Sequence, residues 1–344
     1  YQIVMQFNKK IKIGIYCGAI PSTTFIENLI CGLSQYFEVH VYGKMNEKTV
    51  YKSKNIKVFA TPKSETGRVV FLFARLLKLI FFRPLTFLKY FKKIDLSSLS
   101  KTDFRNFEKC LPIILHSPDL LHFQWPASLA YFKAITDDFK IIVSLRGSLV
   151  NVTPVIHPEL MNEYIKNFKN VDAFHSVSKD VKSVSNNLIS NDKIIRIIRP
   201  AINLEILENS NIVWGYEKNK KVKIITVGRN VWIKGFKYAI DAMRILRDKG
   251  FIFEYTIIAS GKDEEYINYQ ISDYKLNEYI KYIPGLANLK VLEEIKNNHI
   301  FLLPSLSEGI ANVVLESMAL GVPVVSTNCG GMPEVLEDLS LIHI

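Results

Sequence analysis

The sequence predicts an α/β protein made of two Rossmann-like parallel-sheet domains in series. Three observations carry that prediction. Short apolar, β-branched runs alternate with helical patterns from end to end. The runs are near-continuously apolar, as parallel strands covered on both faces must be. The alternation stops in a polar, charged stretch, "NLEILENSNIVWGYEKNKK" (203–221), and then restarts. A seam there gives an N-terminal domain at 1–209 and a C-terminal domain at 210–344.

In the first domain the strand runs are "IKIGIY", "FEVHVYG", "NIKVFA", "DLLHFQW", "FKIIVSL" and "DAFHSVS". In the second they are "KVKIITVG", "FIFEYTIIA", "NHIFLLP" and "GVPVVST". The first strand of each domain is expected to end in a glycine-containing loop, Cys17–Gly18 and Val227–Gly228, ahead of a helix. Ligands of open α/β sheets bind at such strand ends.

The segment 63–93, "KSETGRVVFLFARLLKLIFFRPLTFLKYFKK", breaks the pattern. It holds eight Lys/Arg, a single acid (Glu65) and six Phe. Arg75 and Lys78 interrupt its apolar run and Pro84 divides it into two helices, which makes it a poor transmembrane span. Interleaved basic and bulky apolar residues fit a helix lying in an anionic membrane surface. A helix packed on the sheet, with its arginines reaching out to water, is the plainer alternative.

Composition narrows the class of protein. A chain of 344 residues with 48% hydrophobic content supports two well-buried cores. The four cysteines form no C-x-x-C pair, which argues against a disulfide framework or a zinc site and suits a reducing compartment. Residues 1–10 show no secretory signal, so the expected location is cytoplasmic, peripheral at the inner face of the cell membrane. Residues 1–205 carry 29 Lys/Arg against 16 Asp/Glu, and 206–344 carry 15 against 17, so the basic first half is the one expected to face an anionic partner. Nothing resembles an RNA-binding module, and no nucleic acid partner is expected.

The stretch "SEGIANVVLE" (307–316) sets one carboxylate near its start and another at its end. It follows the buried strand "IFLLP" and opens a helix that Gly321 and Pro323 close. Glu308 and Gly309 then lie at a helix N-terminus on the C-terminal edge of a parallel strand. The free amides of Ile310, Ala311 and Asn312 would favour an anion or hydroxyl oxygens, and Gly309 would let a ligand approach the backbone. Glu316, about 10 Å on, would reach another part of an extended ligand. A nucleotide sugar has this layout, with hydroxyls at its ends and phosphates between. On spacing alone, a loop acid plus a solvated helix acid is the favoured account of the pair. "TVGRNVWIKGFKYAIDAM" adds Arg229 and Lys234 beside a helix N-terminus, a fork and a point charge suited to phosphate oxygens.

Together these stretches resemble the donor domain of glycosyltransferase family 4, retaining enzymes of the GT-B fold. "VGRNVWIKG" is similar to that family's G-R-x-x-x-x-K-G segment. "PSLSEGIANVVLESMALGVPVVSTNCGGMPEV" (Pro304–Val335) is similar to its E-x7-E signature and the glycine-rich run that follows. The resemblance implies a GT-B fold with the two domains facing across a cleft. It implies a metal-independent, cofactor-free transferase that takes a nucleotide-diphosphate sugar as donor and a growing, lipid-linked surface glycan as acceptor. Glu308 would bind the donor sugar, Glu316 the ribose, and Arg229 and Lys234 the departing diphosphate. Gly228 and the Gly309–Asn312 amides would hold sugar and phosphate oxygens, Pro284 and Gly285 the base, and Gly18 would approach the phosphates from the first domain. His122, Trp125 and Arg146 are the acceptor-side candidates.

Two departures stand out. "SLRGS" puts Arg146 before Gly147 where many relatives have His-Gly, and the ending "LSLIHI" differs from the family's continuation, so the C-terminal domain reads as incomplete. A sugar-nucleotide epimerase on the same fold and a non-catalytic membrane-surface binding protein are the rival functions.

Overall fold

The computed structural model describes residues 10–92, 100–202, 221–261 and 264–336. Two compact units emerge: the described residues up to Val177 with Lys182–Ile198, and Ser178–Val181 with those from Arg199 onward. The seam expected at 209/210 lies outside the described residues.

The first unit holds seven strands: β1 (Lys12–Ile20), β2 (Glu38–Met45), β3 (Ile56–Val58), β4 (Leu120–Phe123), β5 (Lys140–Leu145), β6 (Ala173–Ser176) and β7 (Ile194–Ile197). They pair in parallel in the order β3-β2-β1-β4-β5-β6-β7. Its helices are α1 (Thr24–Leu33), α2 (Glu65–Phe82), α3 (Pro84–Phe91), α4 (Lys101–His116), α5 (Ser148–Asn151), α6 (Thr153–Ile156) and α7 (Pro158–Phe168). A further helix, α8 (Lys179–Ser185), follows β6.

The second unit holds β8 (Val222–Asn230), β9 (Phe253–Gly261), β10 (Ile280–Pro284), β11 (Ile300–Leu303) and β12 (Val324–Ser326). These strands are also parallel, in the order β10-β9-β8-β11-β12. With them run α9 (Phe236–Asp248), α10 (Glu264–Asp273), α11 (Asn288–Lys296) and α12 (Asn312–Ala319). In each sheet the order reverses at the first strand, at β1 between β2 and β4 and at β8 between β9 and β11. Such switch points are where open α/β sheets take ligands.

The period-2 pattern of β1 explains its core. Ile13, Ile15 and Cys17 pack with Val39 and Val41 of β2 against Ile26 and Ile30, which lie four residues apart on α1. Each such fully buried aliphatic side chain stabilises by about 1.5–3 kcal/mol. In the second unit Ile225, Phe301, Leu303 and Val324 build one core, and Ile224, Tyr255, Ile257 and Ile240 build the other.

Two expectations about strands need correction. Gly18 and Gly228 lie within strands, because β1 continues to Ile20 past a register shift between Tyr16 and Gly18, and β8 stays paired with β9 as far as Asn230–Gly261. A bulge of this kind lets a strand continue while turning it. The strands β7 and β10 are additional. Both are short sheet edges, and the half-exposed pattern of β7 gives too weak an apolar signal to read.

The basic, Phe-rich segment forms α2 and α3, with Pro84 in the first turn of α3. Leu72, Leu79 and Tyr90 point inward, while Val70, Phe73, Phe81, Phe82 and Leu85 face out, Phe82 and Leu85 being more than four-fifths exposed. Its charges are less available than the sequence suggests. Arg68 forks onto the buried Glu108, with Nε 2.9 Å from Oε1 and 3.2 Å from Oε2. Arg75 donates to the Ala60 carbonyl at 2.8 Å, Arg83 to Ser117 Oγ at 2.5 Å, and Lys89 pairs with Asp138. Lys93, at the end of the segment, lies outside the described residues. Among the described residues no helix is long and apolar enough to cross a membrane.

Candidate active site

The C-terminal edge of the second sheet is built by close backbone packing. After β8 a single 3₁₀ turn, Trp232–Lys234, leads to Gly235, whose φ of +67° starts α9. A Cβ there would lie 1.9 Å from the Pro304 carbonyl oxygen, so only glycine lets the loop after β8 rest on the loop after β11. The Leu306 amide donates to the Ile233 carbonyl at 2.8 Å and fixes that contact.

The consequence is a meeting of side chains. Lys234 Nζ lies 2.5 Å from Glu308 Oε1, and Ser305 Oγ donates to the same oxygen at 2.8 Å. Both charged side chains are mostly buried, with 19% of Lys234 and 11% of Glu308 exposed. A second close approach holds the loop from below. Gly330 (φ +52°) and Gly331 would each place a Cβ 1.9 Å from a carbonyl oxygen, that of Glu308 and that of Gly309 respectively. The 3₁₀ turn that follows is tied down by Glu334, which accepts from the Asp180 amide and from Arg199 Nη2, both at 3.0 Å.

Around this pair the other candidates lie on the same sheet edge. Gly228 and Arg229 lie on the last rungs of the ladder before β8 ends at Asn230, opposite Ala259 and Ser260 of β9, and Pro284 ends β10 beside Ala259. Gly285, at φ +63°, packs on Ser260. The Arg229 side chain is exposed and has no hydrogen-bond or ion-pair partner among the described residues. The amides of Gly309, Ile310, Ala311 and Asn312 have no acceptor there either, and they open α12 with Ala311 at its cap. Their unspent N–H groups and the helix dipole make an anion-binding end. Glu316, on the second turn of α12, is partly buried, its carboxyl without a partner among the described residues, and burial pushes that carboxyl's pKa up. A carboxylate left unsatisfied in this way is ready to accept hydroxyl protons. Among the described residues no three His, Cys, Asp or Glu side chains gather to hold a metal.

The first-unit candidates behave differently. Gly18 (φ +82°) opens onto empty space, with nothing within 4 Å of the Cβ position. His122 is drawn into the sheet. Its Nε2–H donates to Ser144 Oγ at 2.8 Å, and Ser144 donates to His175 Nδ1 at 2.9 Å. His175 Nε2–H in turn donates to the Ile198 carbonyl at 2.8 Å, which fixes both tautomers. A rim of the His122 ring stays accessible, yet burial, then the neighbouring His175 and Arg146, push its pKa down to about 3. Its one donor is thus spent inside the fold. Trp125 packs edge-on against Phe25. Arg146 donates from Nη2 to Gln124 Oε1 at 2.9 Å and sits 4.4 Å from the Phe25 ring centroid, with Nε buried and unpartnered. Burial pushes its pKa down to about 10.

Sequence reasoning missed Ser305, Gly235 and Gly330. The motif spacing contained them, but their role depends on backbone approaches that only the folded chain reveals.

Comparison with known proteins identifies the class. Residues 210–341 match the family model described as Glycosyl transferases group 1. The second unit is thus similar to the group 1 glycosyl transferases. Over 129 residues it is 40% identical to the amylovoran biosynthesis glycosyltransferase AmsK of Erwinia amylovora, an alignment covering 35% of this chain and 31% of that protein. The chain thus spans about a third of the length of the curated relatives it matches. Among solved structures it is similar to sucrose-phosphate synthase from Thermosynechococcus elongatus, with TM-score 0.69, 12% identity, and coverage of 97% of this chain and 86% of that one. It is also similar to HepE from Anabaena in complex with UDP and glucose, with TM-score 0.65, 13% identity, and coverage of 97% and 86%. These likenesses give the fold, which is GT-B.

Proposed function

We propose that the chain is a retaining, metal-independent glycosyltransferase that moves a sugar from a nucleotide-diphosphate donor to a growing, lipid-linked surface glycan. The observation that carries this reading is the Lys234–Glu308 pair, next in the chain to four amides with no acceptor among the described residues, at the switch point of the second sheet. The curated relative that makes amylovoran and the structural relative crystallised with UDP and glucose support it by family and by fold.

In the proposed reaction the donor's glycosidic bond breaks toward an oxocarbenium-like state while charge builds on the diphosphate. Arg229, Lys234 and the Gly309–Asn312 amides stabilise that charge, and Glu308 and Glu316 accept hydroxyls of the sugar and the ribose. Dipoles fixed before the reaction favour the transition state over the ground state, and each lost donor raises the barrier by about 3 kcal/mol. Pro284 and Gly285 flank the base, and Gly228 gives the phosphates room. The exposed apolar face of α2 and α3, with Lys63, Lys78 and Lys92 unpaired among the described residues, would rest on an anionic membrane surface at the inner face of the cell membrane.

The test is a screen of nucleotide sugars for thermal stabilisation of the wild type and of Glu308→Ala. A true donor raises the wild-type melting temperature in step with its concentration. If no donor shifts it, or if the variant responds identically, the reading fails.

A further inference from the structure

The C-terminal edge of the first sheet carries a cation that the surrounding side chains do not neutralise. Arg146 follows β5, Gln124 and Trp125 follow β4, and Phe25 lies in the first turn of α1, the helix after β1. These three strands are neighbours at the switch point of the sheet. The Arg146 guanidinium has Phe25 against it, 4.4 Å from the ring centroid, and Nη2 donates to Gln124 Oε1 at 2.9 Å. No carboxylate pairs with it among the described residues. Glu27, two residues past Phe25, accepts instead from the Ser22 amide at 2.6 Å. The neighbouring imidazoles, His122 and His175, are engaged with Ser144 and the Ile198 carbonyl, and burial holds both below the ordinary histidine range.

Two donors here are unmet. Arg146 Nε and Gln124 Nε2 are both buried with no acceptor among the described residues, and Gln124 is fully enclosed. A largely buried cation with unmet donors is costly unless something supplies the missing negative charge. The surroundings say which anion would do so. Phe25 and Trp125, edge-on with centroids 6.1 Å apart, are each partly exposed, so an aromatic wall stands beside the cation. Such a wall with few polar groups suits the C–H face of a pyranose ring. A phosphate brings about two negative charges and would leave one unmatched by this single cation. A sugar carboxylate brings one, in the planar shape that a guanidinium fork matches.

We propose that Arg146 selects an acceptor glycan whose reacting end carries a carboxylate, as in a uronic acid, and that Phe25 and Trp125 support the ring of that sugar. The inference rests on the transferase reading and names the charge of the acceptor sugar. The carboxylate completes an ion pair that the fold leaves half made. Gln124 is a positioning residue, holding the guanidinium through Nη2.

Ligand-observed NMR titrations with methyl glucuronide and methyl galacturonide, each beside its neutral parent, methyl glucoside or methyl galactoside, test the site. At least one acidic glycoside is expected to bind about tenfold more tightly than its parent, the gain from one charge-assisted fork. Arg146→Met should abolish that preference, and Arg146→Lys should keep part of it. Gln124→Glu places a carboxylate beside the guanidinium at unchanged size. It should abolish the preference too, while raising the melting temperature. Equal binding of acidic and neutral glycosides by the wild type overturns the proposal, as does a preference that survives Arg146→Met. UDP-glucuronate and UDP-glucose, titrated alongside, give the remaining outcome. An Arg146-dependent preference confined to these nucleotide sugars would assign the carboxylate to the donor and overturn the acceptor assignment. The wild type's melting shift with UDP alone judges the transferase reading separately.

Discussion

Lys234 Nζ and Glu308 Oε1, 2.5 Å apart, join the loop after β8 to the loop after β11 across the switch point of the second sheet. Each is the other's main counter-charge in a largely water-free setting. Removing one partner leaves a buried charge, which costs about 3 kcal/mol or more, whereas replacing both with apolar groups of similar size is nearly neutral. Lys234→Met and Glu308→Leu should each lower the melting temperature, and the double variant should melt above either. Additive losses in thermal unfolding would sink this account of the pair.

Glycine substitutions should separate two kinds of backbone demand. Gly18→Ala meets a positive φ but open space, so it costs only the left-handed penalty of about 1–2 kcal/mol. Gly330→Ala meets a positive φ and a Cβ 1.9 Å from the Glu308 carbonyl oxygen, so the loop has to move. Urea titration should find Gly330→Ala the less stable by at least about 2 kcal/mol.

Acid should weaken the first unit. His116, with its pKa pushed down to about 4 by burial and nearby cations, and His122, pushed down to about 3, stay neutral when folded but take up protons on unfolding. A base with a lowered folded pKa contributes stability that is complete above its unfolded value near 6.5 and declines as pH drops below it. Each histidine adds a slope of up to about 1.4 kcal/mol per pH unit between that value and its folded pKa. Urea unfolding of wild type and His122→Asn at pH 7 and pH 5 should show a smaller loss in the variant.

Contact with a membrane should be driven more by apolar surface than by charge, because Arg68, Arg75, Arg83 and Lys89 are engaged within the protein. Co-sedimentation with phosphatidylglycerol-rich vesicles should therefore survive 0.5 M salt in good part, since salt screens only the ionic share, roughly 1 kcal/mol per exposed basic residue. Phe81→Glu/Phe82→Glu should abolish it. Full release of the wild type by salt would contradict this.

Much of the fold was legible because its signals are local. Runs such as "IKIGIY" and "KVKIITVG" announce covered parallel strands, and Pro84 marks the break between α2 and α3. The residues around Glu308 were legible because loop, helix start and both acids lie within ten positions. What escaped is non-local. The sequestering of His122 depends on Ser144 and His175, more than twenty and more than fifty residues away, and the need for glycine at 235 arises from the Pro304 carbonyl. The edge strands β7 and β10 were missed because one-sided pairing needs little apolar character.

Arg146 shows where this architecture forgoes rigidity. The one side-chain group it is seen to bond is an amide oxygen and its face lies on Phe25, so the attraction of the aromatic ring, worth about 2 kcal/mol when water is excluded, stands in for a full counter-ion. Folding carries the remaining imbalance permanently. A molecule selected for robustness alone would place an aliphatic side chain there, so a guanidinium kept at this strand end marks a position where thermal endurance has yielded to some other requirement.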